Sequence, residues 1–262
     1  MIDFNKLVHK LWKEKWNIVL KDDIFEIVDP ERKAAYQSFL DKAIYKMKIQ
    51  KVLIPLKSWA YIIPEEGDET LNEIDLIEKY YIKLLKRYIT YFVGGEYYIS
   101  GRKALEFHMK DFSIPENISI INRKINKRVK IGRYTIIFKT MSGKDAGKKI
   151  NLYTKLEPFV WEMKIEGIPM KVSCLELSLI EASIIGVWEM WVDVDLLNRV
   201  IKKYSRVMKK EIFEQLSEYK FIMAFNRLKE LSKGVDVELY NTFLEIVKKQ
   251  GWLFIGEWLR WF

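Results

Sequence analysis

The sequence predicts an α+β fold in two domains, and three patterns carry that expectation. The N-terminal part runs through helical periodicities and then two short extended segments. The middle, after residue 109, is β-rich. From residue 173 the chain returns to helical spacing and keeps it.

Phe4, Leu7, Val8, Leu11 and Trp12 follow the i, i+3, i+4, i+7, i+8 spacing of an amphipathic helix. A second, shorter helix is expected over Asp23–Val28. Asp29-Pro30 opens a third, with Asp as N-cap and Pro at the first helical position. This helix, Glu31–Met47, has an apolar stripe of Tyr36, Phe39, Leu40, Ala43, Ile44 and Met47. Its other face shows Arg32, Lys33, Gln37, Ser38, Lys42 and Lys46. Two strands follow, Lys51–Leu56 and Trp59–Ile63, joined at Lys57-Ser58 and closed by Pro64. Pro55 cannot donate a ladder hydrogen bond, which makes its strand an edge strand. Three helices followed by a hairpin is the order of a winged helix-turn-helix. In that fold the last helix enters the major groove and the hairpin touches the DNA backbone. Side chains of the kind on the polar face reach base edges and phosphates. That face and Lys57 are therefore candidate DNA contacts. Every amphipathic helix has a solvated face, so it is the hairpin that favours the DNA reading.

Pro64-Glu-Glu-Gly-Asp-Glu-Thr70 is polar and acidic, and it predicts a boundary between a domain over 1–66 and a second over 67–262. One long helix is expected next, carrying Ile77, Tyr81, Leu84, Leu85, Tyr88 and Phe92 and ending at Gly94-Gly95. A strand over Tyr97–Ile99 then turns at Ser100-Gly101 into a helix with Ala104, Leu105 and His108 on one side. Ser100 suits the N-cap. Arg102 and Lys103 place positive charge at the positive end of the helix dipole, which is unfavourable unless an anion is near. The N–H groups of a helix start are themselves an anion site. Further strands are expected at Ile118–Ile121, Arg133–Lys139, Phe159–Ile165 and Pro169–Val172. Ser173-Cys174-Leu175-Glu176 has the form of a capping box before a helix. Three more helices centre on Leu197–Met208, Phe221–Leu231 and Val237–Val247.

The chain has 45 Lys and Arg against 36 Asp and Glu, a net charge of +9. Between Arg123 and Lys149 ten basic residues face one acid, Asp145, so this window holds a surplus equal to that of the whole chain. Arg123, Lys124, Lys127, Arg128, Lys130 and Arg133 are its candidate phosphate contacts. Arg102 and Lys103 lie shortly before it and could share its surface. Such a patch adds salt-dependent, sequence-blind affinity for nucleic acid. A second group, Arg199, Lys202, Lys203, Arg206, Lys209 and Lys210, lies on a helix, where a solvated face is an equal explanation.

Catalytic chemistry is sparse. The single cysteine, Cys174, excludes an internal disulfide and a Cys-based zinc site. The two histidines, His9 and His108, are far apart, and His108 reads as a packed core residue. No phosphate-binding loop appears. Ser100-x-x-Lys103 matches a short string of penicillin-binding enzymes, without its companion motifs. Asp193 and Asp195 suggest a metal nuclease only weakly, because no Glu-x-Lys accompanies them and Asp195 more simply caps a helix. The expectation is a protein that is not an enzyme and uses no cofactor. No apolar run approaches the roughly 18 residues of a membrane span, and no signal pattern opens the chain. A cytoplasmic location is expected.

Two strings resemble motifs of the AbiEi family of abortive-infection antitoxins and transcriptional regulators. One is the strand leading into Ser100-Gly101-x-x-Ala104-Leu105-x-x-His108; the other is Val172-Ser173-x-x-Glu176-x-x-Leu179-x-Glu181. Arg102-Lys103 and Met109-Lys110 depart from the family's usual residues. The resemblance spans most of the chain in order. It implies a winged helix-turn-helix followed by a mixed β/α domain ending in helices. It also implies an autorepressor on double-stranded DNA repeats in its own promoter, which counteracts a nucleotidyltransferase-like toxin encoded next door without necessarily touching it. Two alternatives stay open. One is an antitoxin that binds its toxin directly, for which the aromatic end, Trp252, Trp258, Trp261 and Phe262, is a candidate surface. The other is an RNA-binding protein that stacks bases on Tyr97, Tyr98 or Tyr134.

Overall fold

The computed structural model describes residues 4–15, 17–28, 37–145, 148–184, 193–219 and 221–250. It is an α+β protein of two units. The first takes in residues 1–92 with 129–135, and the second residues 93–128 with 136–262.

The first unit begins α1 (Phe4–Lys15), β1 (Ile18–Leu20), α2 (Lys21–Val28), α3 (Gln37–Ile49), β2 (Ile54–Lys57) and β3 (Ala60–Ile62). Its three strands pair in the order β1-β3-β2, which leaves the Pro55 strand at an edge, as its missing N–H requires. Strand β1 was not foreseen. It has only three residues, too few to show alternation, and it is specified by its pairing of Ile18 with Ile62 and Leu20 with Ala60. The hairpin register pairs Lys57 with Ala60, so the turn is Ser58-Trp59, one residue later than expected. Leu7, Leu11, Val19, Ile24, Leu40, Ile44, Met47 and Tyr61 form the core. The expected Asp29-Pro30 helix start lies outside the described residues.

Two helices complete this unit, α4 (Glu73–Lys79) and α5 (Tyr81–Val93), where a single long one was expected. The reason is non-local. Asp68 is 1% exposed and accepts hydrogen bonds from Tyr80 Oη at 2.5 Å, Lys79 Nζ at 2.7 Å and the Glu65 N–H at 2.9 Å. Tyr80, at the break, is thereby held to the preceding loop, while Asn72 caps α4 by accepting from Ile74 and Asp75. The buried Asn17, at φ +68°, donates to the Ile63 carbonyl and Glu65 and accepts from Lys83. Arg87 of α5 pairs with Asp23 of α2 at 2.5 Å. These bonds bind the acidic stretch and both helices to the N-terminal elements, so the unit continues to Phe92 and does not end near residue 66.

The rest of the chain runs β4 (Tyr97–Ile99), α6 (Gly101–His108), β5 (Asn117–Asn122), β6 (Lys127–Ile131), β7 (Tyr134–Thr140), β8 (Ser142–Asp145), β9 (Lys148–Asn151) and α7 (Tyr153–Leu156). It continues through β10 (Val160–Ile165), β11 (Ile168–Ser173), α8 (Leu175–Ala182), α9 (Val194–Tyr204), α10 (Lys210–Ser217), α11 (Ile222–Ser232) and α12 (Val237–Lys249). A six-stranded sheet has the order β10-β11-β4-β5-β7-β6, and β8 pairs with β9 alone. Strands β4 and β11 are parallel neighbours, and each leads straight into a helix. Helices α6 and α8 pack on each other, and α8 to α12 close over a core that includes Leu177, Ile180, Leu197, Phe213, Phe225 and Phe243.

The β6–β7 turn supplies the first test. Gly132 takes φ +57°, and a Cβ there would stand 3.0 Å from Ile77 Cδ1. Gly132→Ala combines a left-handed backbone with a close contact, so it is expected to destabilise by about 1 kcal/mol or more. Urea denaturation measures this. An unchanged midpoint would refute it, and Ile77→Val in the same background should recover part of the loss.

Candidate nucleic-acid interface

Helix α3 buries Leu40, Ala43, Ile44 and Met47 and exposes Ser38, Asp41, Lys42, Tyr45, Lys46, Lys48 and Ile49. Ser38, Lys42, Tyr45 and Ile49 recur at i, i+4, i+7 and i+11 and so share one stripe. Tyr45 is 62% and Ile49 64% exposed, which is unusual for large apolar residues on an otherwise polar face. Asp41 is neutralised by Lys21 at 2.7 Å. Among the described residues, Lys42, Lys46 and Lys48 have no ion-pair partner. Of the other expected contacts, Arg32 and Lys33 lie outside the described residues, and Gln37 is described only as the first residue of α3.

Beside α3 in sequence, the β2–β3 turn is tightly held. The Trp59 ring packs 4.8 Å from Tyr88 and stacks 5.2 Å from Tyr91, both on α5. The Trp59 carbonyl accepts from the Lys21 N–H at 2.8 Å, and Tyr61 Oη donates to the Ser58 carbonyl at 3.0 Å. Lys57 is half-buried at the start of this turn.

The expected cationic window is less available than its sequence implies. Asn122 is fully buried and organises the β5–β6 turn, accepting from the Lys124 and Ile125 N–H groups and donating to the Ile125 and Lys139 carbonyls. The turn presents Arg123 and Lys124 to one carboxylate, Glu96, at 3.2 and 3.5 Å. Lys127 and Arg128 are exposed on β6. Burial pushes the Lys139 amine below its usual range, and Arg128 adds to the effect. In the first unit, Lys130 is exposed and Arg133 pairs with Glu78 while bonding Tyr134 Oη. Both glutamates lie outside the window in sequence, so counting within it missed its counterions.

The junction at residues 100–103 also differs from expectation. Arg102 is exposed but paired with Glu106 at 2.8 Å and Asp193 at 3.5 Å. Lys103 is 2% exposed and points inward, donating to Glu106 and to the Asp111 and Ser113 carbonyls, with Nζ 4.8 Å from the Phe107 ring centre. It contributes nothing to a solvent-facing patch. Tyr97, Tyr98 and Tyr134 are each at most 2% exposed, so none of them is a stacking platform. The aromatic end from Trp252 to Phe262 lies outside the described residues.

The anion that the helix start requires comes from the chain itself. Glu181 of α8 is fully buried. It accepts from Tyr98 Oη at 2.9 Å, Ser173 Oγ at 3.1 Å and the Gly101 N–H at 3.2 Å. Gly101 reaches it from φ +61°, a conformation that glycine adopts without cost. The Ser100 hydroxyl acts on the carboxylate from outside regular hydrogen-bond geometry, and it makes no capping bond. Burial raises Glu181 to about 7 against the pull of its donors, and it drives the Tyr98 phenol well above its usual range. The expected capping box is not formed. Ser173 is turned to Glu181, Cys174 takes the cap position, and Glu176 accepts from the Lys209 N–H at 2.8 Å. His108 Nε2 lies 2.8 Å from the Ser173 carbonyl, and burial lowers its pKa, so the neutral ring is favoured. Burial pushes the Cys174 thiol up to about 12, which makes it unreactive. Asp193, not Asp195, caps α9.

Among the described residues, no group of three or more His, Cys, Asp and Glu could hold a metal ion, and no helix is long and apolar enough to cross a membrane. Neither the family models nor the curated proteins contain a match to this chain.

Sequence reasoning named Glu181 only as the end of a string and missed Tyr45 and Ile49. The spacing from Ser38 to Ile49 was the available sign of that stripe.

Glu181 generates a pH prediction. Its folded-state pKa is raised to about 7 from an ordinary 4.5, so between these values the native protein holds more protons than the unfolded chain. Its contribution to stability therefore falls as pH rises through that window and is level above it. His108, shifted downward, contributes the opposite slope at the acid end. Thermal melts of wild type and Glu181→Gln from pH 4.5 to 8 isolate the carboxylate. The wild type should lose stability relative to the variant up to about pH 7. A pH-independent difference would refute the assignment.

Proposed function

We propose that the protein is a DNA-binding transcriptional regulator of the AbiEi antitoxin kind, with a winged helix-turn-helix as its first six elements. The observation that carries the reading is the order α1-β1-α2-α3-β2-β3 with strands paired β1-β3-β2. The short strand β1 joins the hairpin into a three-stranded sheet and leaves α3 with an exposed polar face beside it in sequence. Helix α3 reads the major groove. Lys42 and Lys46 contact phosphates or base edges, and Tyr45 and Ile49 supply apolar contact of the kind thymine methyl groups accept. Lys57 touches backbone at the edge of the hairpin.

The antitoxin part of the reading is supported by the two strings behind the resemblance. They are remote in sequence but meet in space, through Gly101 on Glu181 and His108 on Ser173. Strings that jointly build one buried junction are what a shared fold needs. In this reading the partner is the protein's own promoter DNA, the protein carries out no catalytic step, and a neighbouring nucleotidyltransferase-like toxin is countered.

Gel shifts on duplex DNA from upstream of its own gene test the proposal. Wild type should bind, and Lys42→Ala with Tyr45→Ala and Lys46→Ala should bind at least about tenfold more weakly, since each lost contact is worth roughly 1 kcal/mol or more. All three side chains are exposed, so the circular dichroism melt should not move. Undiminished binding by the triple variant, or no binding by wild type, refutes it. Preference for single-stranded RNA over duplex DNA would favour the RNA alternative.

A further inference from the structure

We infer that the face of α9 and the turn after it form a second polyanion surface, which binds the phosphate backbone of duplex DNA without reading sequence. From Leu196 to Lys210 the chain contains no acid. The fold buries Leu196, Leu197, Val200 and Ile201 and leaves Arg199, Lys202, Lys203 and Arg206 exposed. Three of these cations sit at i, i+3 and i+4 on α9, and Arg206 follows in the single turn Ser205–Val207.

Counterions separate this face from the cations at the start of α6 and in the β5–β6 and β6–β7 turns. Arg102, Arg123, Lys124 and Arg133 each have a carboxylate of their own chain within ion-pair distance. Among the described residues, Arg199, Lys202, Lys203 and Arg206 have none, and the next cation with one is Lys210, on Glu238 at 3.2 Å. Like charges held one helical turn apart repel each other and lower the stability of the helix. An external anion relieves that repulsion.

The surface also selects among anions. A membrane-surface helix needs an apolar face beside its cations. Here Val207, 66% exposed, stands alone among them. Single-stranded nucleic acid is held by exposed aromatic rings. Tyr204, the ring within this face, is half-buried; its hydroxyl donates to the His108 carbonyl at 3.0 Å, and its ring already lies 5.1 Å from Lys203 Nζ. What is left is a group of cations on the last turns of α9 and the turn after it, set to face the phosphates of a duplex backbone, each neutralised phosphate releasing counterions. The choice of DNA over another duplex rests on the proposed function; the charge geometry does not.

Fluorescence anisotropy with the full chain and a random-sequence DNA duplex, over a series of salt concentrations, tests the inference. Arg199→Gln, Lys202→Gln, Lys203→Gln and Arg206→Gln together should weaken binding at least about tenfold and reduce the slope of log K against log salt by about 3. Lys248→Gln with Lys249→Gln, two exposed cations on α12, should leave both nearly unchanged. The α3 variants above should keep this salt-dependent binding even where they lose the operator, so the two readings fail separately. An unchanged slope in the quadruple variant overturns the inference. So does equal competition at matched charge by polyglutamate, which would point to an acidic protein, by duplex RNA, or by anionic lipid vesicles.

Discussion

The second unit depends on one buried carboxylate. Glu181 sits where two parallel strands, β4 and β11, each turn into a helix, and it takes donors from both turns: Tyr98 and Gly101 from one, Ser173 from the other. An ionised group taken out of water is costly unless it is fully hydrogen-bonded. Burial moves Glu181 toward neutrality, while three donors and the positive end of α6 move it back. The result is a carboxylate near its titration point that sets the spacing of two helices. Gly101 suits this arrangement because its N–H meets the carboxylate from a left-handed backbone, which glycine adopts without cost.

That junction explains why the string Ser100-Gly101-Arg102-Lys103 was read only in part. Its strand, turn and helix follow from local pattern: three apolar residues, a Ser-Gly turn, then Ala104, Leu105 and His108 at helical spacing. Its electrostatics do not. The two cations are paired with Glu106 three and four residues on, but the carboxylate that takes the helix-start N–H is Glu181, 80 positions away, which local pattern does not show. Lys103 is likewise committed to carbonyls at 111 and 113, which only the fold brings to it.

The same division holds elsewhere. Strands rich in apolar residues, such as β5, β10 and β11, are legible to within a residue or two. The three-residue β1 was not, because pairing rather than pattern specifies it. The long helix expected after residue 70 breaks at Tyr80, whose hydroxyl is bound to Asp68. The boundary near residue 66 follows from composition alone, and an acidic stretch does read as a linker. Here Asp68 is turned inward, and that stretch becomes a strap.

Charge shows the limit most plainly. A window with nine surplus positive charges is a large feature of a sequence, yet what acts on a phosphate is the charge left after the fold has supplied its own acids. Glu96 and Glu78 reduce that window from outside it. The cations of α9 sit in a stretch without acids and have no carboxylate within ion-pair distance among the described residues, although Asp111 feels the charge of Arg199. Helix α3 carries less charge than either, but it sets unpaired lysines beside Tyr45 and Ile49, so it offers both donors for base edges and apolar contact for the thymine methyl group. In the proposed reading the two surfaces differ in kind: α9 suits the counterion term that every duplex supplies, and α3 suits contacts that depend on sequence.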